Sequence, residues 1–295
     1  MENFFTKSEK LALGTAQFGS AYGISNISGQ IKSNEIFAIL DLAWEKGINT
    51  LDTAKAYGKS EEIIGYYLKK HSEKKWSIIT KLSESRGNIS GQIQDSTEHL
   101  TIQPSIILAH SADLFLHKDF QRKLVEVKKS QKIIKVGVSL YSEDEIIQVL
   151  DSNLKPEVIQ LPMNILDTRL YRHGILAQLF ERNIEIHVRS VFLQGLFYLE
   201  EPDLKASFKD VIPHINKLKT IATRAGLTLG ELSLMWIFSL EEISKVIIAV
   251  ENVKQLKEHL ETLNKIVDPS VFKEALSVKY ENENFLNPSL WPSTS

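Results

Sequence analysis

The chain has no cysteine in its 295 residues. That excludes disulfides, thiolate metal sites and a cysteine nucleophile, and it suits a reducing compartment. There is also no GxGxxG segment, the glycine-rich turn that a doubly wound dinucleotide fold sets after an early strand. No apolar run approaches the ~20 residues that cross a bilayer. The opening MENFFTKSEK lacks the basic segment and apolar core of a secretory signal. An excess of one charge is missing too. With 35 Lys and Arg against 37 Asp and Glu, nothing marks a surface for nucleic acid or an anionic membrane. These absences predict a cytoplasmic protein with neither partner.

What is present is a balance of 43% hydrophobic and 24% charged residues, enough to build one large core. Short apolar runs recur with amphipathic segments between them: KLALGTAQ (10–17), INTLDTA (48–54), WSIITKL (76–82), PSIILAH (104–110), IIKVGVSL (133–140), VIQLPMN (158–164), IEIHVRSVF (184–192) and KVIIAV (245–250). Helical patterns follow them, among them Ser33–Lys46 with Ser33 as cap, 60–70 starting at Ser60, 89–100, 119–130, 142–152, 168–182, 210–225, 229–240 and 252–265. Eight strand–helix units without hairpin signals predict a parallel sheet, closed most simply as a (β/α)8 barrel. The prediction is a single domain over 1–295, with a barrel core at about 10–265 and a C-terminal helix and irregular tail at 266–295.

Asp52, Lys81, His110 and Ser139 stand at equal intervals of 29 residues, each at or near the end of one of these runs. A polar residue repeatedly placed where a buried strand finishes predicts one site at the carboxyl-end face of the barrel. Tyr57 follows Asp52 in the loop LDTAKAYGKSE. Such a cluster has a definite chemistry. An ammonium beside a phenol favours the phenolate, and a carboxylate on that ammonium keeps it charged and in place. The phenol then serves as a general acid, and a nearby imidazole orients a substrate carbonyl.

The blocks in this order resemble the aldo-keto reductases. LALGTAQFG (11–19) is similar to the family's opening strand, and GINTLDTAKAYGKSEEIIGYYL (47–68) to its signature around a catalytic aspartate and tyrosine. IITKL (78–82) and ILAHSADL (107–114) match its lysine and histidine blocks, and the likeness runs from about Lys10 to about Leu263. The resemblance implies NAD(P)H-dependent reduction of an aldehyde or ketone on a small molecule, with Asp52, Tyr57, Lys81 and His110 as catalytic tetrad and no metal.

On the cofactor side the resemblance implies Gly14, Thr15 and Asp52 in the wall, with Ser139 and Gln160 holding the nicotinamide carboxamide. Leu140 and Tyr141 follow Ser139 where the family often has asparagine, and Asn164 is either a further contact or a satisfied barrel amide. Arg189 stands where relatives stack an aromatic ring on nicotinamide. Ser190, Leu193, Gln194 and Gly195 match the loop that cradles pyrophosphate. Glu251, Asn252 and Gln255 fall where many relatives grip a 2′-phosphate with Arg or Lys. The resemblance puts NADP(H) first, and Glu251 keeps NAD(H) as its rival.

Two other functions fit parts of the pattern. Lys81 beside Asp52 permits a Schiff-base lyase on the same fold, and a barrel that holds dinucleotide with little turnover permits a regulatory module. The tail motif NPSLWP (287–292) is similar to the ending of bacterial reductases of surface-polysaccharide or nucleotide-sugar pathways, which points toward a sugar or keto sugar. Its Trp291 is either a wall of the pocket or an anchor for the terminus. No feature specifies an oligomeric state.

Overall fold

The computed structural model describes residues 7–27, 29–83, 89–130, 133–200 and 208–291. Its strands are β1 Leu11–Gly14, β2 Thr50–Asp52, β3 Ser77–Leu82, β4 Ile106–Ala109, β5 Lys135–Ser139, β6 Val158–Pro162, β7 Glu185–Arg189 and β8 Ile243–Ile248. They pair in parallel in chain order, and β1 closes on β8. The predicted eight-stranded barrel is what forms.

The period of two along a strand positions the site. Ile79, Ile106, Leu108 and Val158 form an apolar cluster separate from the large core between barrel and helices. Two residues beyond Ile79, Leu108 and Val158, on the same inner faces, come Lys81, His110 and Gln160. The pleat that buries the apolar plug therefore delivers these polar groups above it, at the carboxyl ends. The register sets Ser139 beside Gln160, and Gln160 beside His187.

The longer helices are α1 Ser33–Glu45, α2 Ser60–Lys70, α3 Ile89–Leu100, α4 Lys118–Ser130, α5 Glu143–Asp151, α6 Ile175–Glu181, α7 Ile212–Arg224, α8 Leu229–Ser239, α9 Val253–Thr262 and α10 Pro269–Ala275. Each of the well-formed ones buries a stripe at helical spacing, as Ile36, Ile39, Leu40 and Ala43 do in α1. Reciprocal capping boxes start α5 (Ser142 with Glu145) and α8 (Thr228 with Glu231).

Several local expectations are corrected. Ser33 is the first helical residue rather than the cap; Lys32 holds the cap position with no side-chain bond. The predicted helix 168–182 breaks into a turn at Arg169–Arg172 and helix α6, because Gly174 adopts a left-handed φ of 74°. The first strand stops at Gly14, since residues Ala16–Gly19 coil into a helical turn. Strand β8 lies at 243–248 instead of 245–250 and pairs with β7 across an irregularity between Ile186 and His187.

In the tail, Trp291 packs on Phe208 and Phe285 at ring separations of 4.9 and 5.4 Å, and its Nε1 donates to the Phe285 carbonyl. It anchors the terminus and is absent from the pocket wall. Residues 292–295, the end of the predicted irregular tail, lie outside the described residues. Among the described residues, no helix is long and apolar enough to cross a membrane.

Candidate active site

The exit of β2 is fixed first. The Thr53 hydroxyl donates to Ser60 Oγ (3.1 Å), Ser60 to Thr15 Oγ1 (2.9 Å), and Thr15 to the Asp52 carbonyl (3.0 Å). Ser60, predicted to start α2, spends its hydroxyl on this relay, and Lys59 takes the cap position. The relay ties the ends of β1 and β2 to the start of α2 and frames the loop that carries Tyr57.

Two glycines let that loop close. A Cβ on Gly19 would lie 1.7 Å from the Tyr57 carbonyl oxygen. Gly58 has a left-handed φ of 54°, and a Cβ there would lie 2.5 Å from the Gly19 carbonyl oxygen. No other residue type fits either place without moving the backbone.

Asp52 and Lys81 are buried at 3% and 1% exposure. Lys81 Nζ donates to Asp52 Oδ1 (2.5 Å) and to the Thr53 carbonyl (3.1 Å), while Gln160 Nε2 donates to Asp52 Oδ2 (2.7 Å). Burial alone would push the lysine down. The Asp52 carboxylate, with Tyr57 and the hydrogen bond, outweighs it and raises the pKa above the ordinary lysine value. The ammonium sits 5.2 Å from the centre of the Tyr57 ring, and the His110 ring meets Tyr57 edge-on at 6.1 Å. Asp52, Tyr57, Lys81 and His110 thus come together at one mouth.

His110 is held neutral. Burial first, then the charges of Lys81 and Arg189, push its pKa down to about 4. A neutral imidazole is a hydrogen-bond partner at neutral pH, not a proton reservoir.

A cavity of about 340 Å³ opens above this cluster, within the range of small-molecule sites. Its wall includes Gly14, Thr15, Asp52, Ser139, Gln160, Arg189, Ser190, Gln194, Gly195, Glu251 and Gln255. Two predicted residues stand off the wall. Leu193 is fully buried, so only its backbone, at φ 48°, shapes the loop. Asn252 caps α9 by accepting from the Gln255 amide. Asn164 is a satisfied amide: its oxygen accepts from Leu166 and Asp167, and its Nδ2 donates to the Ser190 carbonyl.

Arg189 stacks on the Tyr141 ring at 4.1 Å and donates to the Leu140 carbonyl (3.3 Å). The next segment is conformationally unusual, with positive φ at Ser190 (60°), Leu193 (48°), Gln194 (54°) and Gly195 (92°). The loop after β1 folds back onto it. Ile24 N–H donates to the Gln194 carbonyl (3.0 Å), and Ser25 Oγ occupies the space of a Cβ on Gly195.

This fold-back brings Tyr22 and Ser25 to the wall, where sequence reasoning did not place them. No local signal announces a loop contact across 170 residues. Glu258 and His259 were also missed, yet they had a signal. They stand three and four residues beyond Gln255 on α9, so they share its face.

The buried histidines give a pH-dependent stability. His259, 8% exposed, has its pKa pushed by burial to about 4, and His187 is likewise lowered by burial. Between pH ~6.5 and about 4 the unfolded chain binds protons at His110 and His259 that the folded protein refuses, so stability rises with pH through that window. His259 alone accounts for on the order of 3 kcal/mol. Melting temperature is expected to fall as pH drops from 7 to 4.5, and to fall less steeply in His259→Gln. An identical slope in the variant would refute the assignment.

The geometry defines the class: a parallel (β/α)8 barrel whose polar site is built at the carboxyl ends of its strands. The aldo/keto reductase family model matches residues 10–278, and the chain belongs to that family. Among solved structures it is similar to the aldo-keto reductase AKR11C1 from Bacillus halodurans in its holo form. The TM-score is 0.74 at 20% identity, over 93% of this chain and 94% of that one. It is also similar to PA4992 of Pseudomonas aeruginosa, assigned to the aldo-keto reductases. There the TM-score is 0.62 at 20% identity, over 86% of this chain and 88% of that one. The protein is an oxidoreductase of the aldo-keto reductase type.

Proposed function

We propose that the protein reduces the carbonyl of a small aldehyde or ketone, such as a sugar or keto sugar, to an alcohol in the cytoplasm, with Tyr57 as the acid. The observation that carries this reading is the Lys81 ammonium, 1% exposed, bonded to Asp52 and 5.2 Å from the Tyr57 ring.

A bound nicotinamide cofactor supplies the hydride. The residues present fit such a group. Gln17 and Gln160 have buried carbonyl oxygens without hydrogen-bond partners, and both side chains line the pocket. Amine hydrogens of a carboxamide satisfy acceptors of this kind. Leu193, Gln194 and Gly195 are successive left-handed residues, a tight backbone turn of the kind that cradles anions. Gly14, Thr15, Ser139, Gln160 and Arg189 form the cofactor wall nearest the reacting atoms.

Tyr57 gives its hydroxyl proton to the carbonyl oxygen as the carbon accepts hydride, so the substrate leaves as an alcohol and the phenolate remains. Lys81 stabilises that phenolate, and Asp52 keeps the ammonium charged. His110, neutral, donates a ring N–H to the carbonyl oxygen and orients it. The proton lost by Tyr57 returns from solvent through the open cavity.

The same pairing speaks against a Schiff-base lyase, which needs a neutral amine. Lys81 is held charged by two acceptors. Oxidation of NADPH and NADH should be followed with simple aldehydes, sugars and nucleotide-linked keto sugars. Turnover with equimolar alcohol is the expected result. Tight cofactor binding without turnover across the panel would move the reading to a binding module, and borohydride trapping of substrate on Lys81 would move it to a lyase.

A further inference from the structure

The pocket continues well past the catalytic cluster. Beyond the loop at 190–195 its wall is made by the exit of β8 and the first turns of α9, through Glu251, Gln255, Glu258 and His259. Tyr57 fixes one end of a dinucleotide, because hydride donor and acid must meet at the same carbonyl. The 190–195 loop takes its middle. The second nucleoside then falls on this far wall.

The far wall is acidic and aromatic. His259 stacks on Phe192 with ring centroids 4.7 Å apart and planes 19° apart. The ring is buried, and burial holds it neutral with a pKa of about 4. A neutral His259 therefore offers a phosphate no charge.

Glu251 and Glu258 are the charged side chains of that wall. Burial pushes the Glu251 carboxyl up, so a hydroxyl donor relieves it and a second anion burdens it further. The cations on the pocket wall, Lys81 and Arg189, lie at the other end, bonded to Asp52 and stacked on Tyr141. The nearby Lys254 has 85% of its side chain exposed, pairs with Glu258 at 3.7 Å, and is not on the wall.

A ribose 2′-phosphate carries about −1.5 to −2 at neutral pH. Set against two carboxylates with no cation on that part of the wall, it is repelled, whereas a free 2′-hydroxyl donates to either carboxylate. We propose that the protein binds NAD(H) and discriminates against NADP(H), with Glu251 and Glu258 as the specificity-determining residues at the adenosine ribose. This rests on the carbonyl-reductase reading above and reverses the cofactor order that the family resemblance implies.

The test is calorimetric titration of the full-length protein with NADH, NADPH, 5′-AMP and adenosine 2′,5′-bisphosphate, the last two differing only in the 2′-phosphate. NADH and 5′-AMP are expected to bind at least about tenfold more tightly than their phosphorylated counterparts. Glu251→Arg should shift the ratio toward NADPH by about tenfold or more, and Glu258→Gln should shift it in the same direction by less. NADPH binding as tightly as NADH in the wild type overturns the cofactor choice and leaves the carbonyl-reductase reading standing. A ratio unmoved in both variants overturns the role of the acidic wall. Binding of neither dinucleotide overturns both readings together.

Discussion

Tyr57→Phe is expected to lower carbonyl turnover by roughly 10²–10⁴-fold, the usual contribution of a positioned general acid. The substitution removes one oxygen and leaves the ring. The ring's position is set by backbone, since Gly19 and Gly58 bring the loop into direct contact at that point. Cofactor affinity should therefore persist, and the loss should fall on kcat rather than on binding. The alternative acid in the cluster is poorly suited. His110, with a pKa of about 4, is almost entirely neutral imidazole at neutral pH, able to donate a hydrogen bond but not to act as the acid. Turnover and cofactor titration measured together decide the matter; unchanged reduction in the variant would place the acid elsewhere.

The second large effect belongs to Lys81→Met, which should abolish reduction and also destabilise the fold. Asp52 is 3% exposed and would keep Gln160 as its hydrogen-bond donor with no counter-charge. Removing one partner of a buried ion pair costs about 3–5 kcal/mol, equivalent here to a drop of about 10 °C in melting temperature. The double variant Lys81→Met/Asp52→Asn separates the two roles. Neutralising the stranded carboxylate should recover most of the lost melting temperature while turnover stays low. A double variant as unstable as the single one would mean that packing of the lysine stem, not the buried charge, carries the stability.

Much of this site was legible in the sequence because strands impose a simple geometry. Apolar runs marked all eight strands, and polar residues at their ends marked the mouth. The 29-residue spacing of Asp52, Lys81, His110 and Ser139 reflects units of similar length. It carries no catalytic code, since it skips Tyr57. What the sequence hid was tertiary. Gly174 could have been a tolerated helix glycine; its left-handed φ shows only once the chain turns there. Ser60 starts α2 as its sequence indicates, but that Thr15 and Thr53 claim its hydroxyl shows only in the fold. Tyr22 reaches the pocket only because its loop folds across onto residue 194. His259 was within reach of helical periodicity, but its stacking on Phe192 joins segments that no local pattern links.

The hydrogen bond between Gln160 and Asp52 has a wider consequence. β6 and β2 stand four strands apart in either direction around the ring, so this contact crosses the barrel. Asp52 divides its two oxygens between Lys81, which serves the tyrosine, and Gln160, which belongs to the proposed ligand side. One carboxylate thus couples the two hemispheres without a moving loop. Whatever draws density from one oxygen is felt at the other, and a residue on the far strand becomes an electrostatic neighbour of the proton donor it never touches.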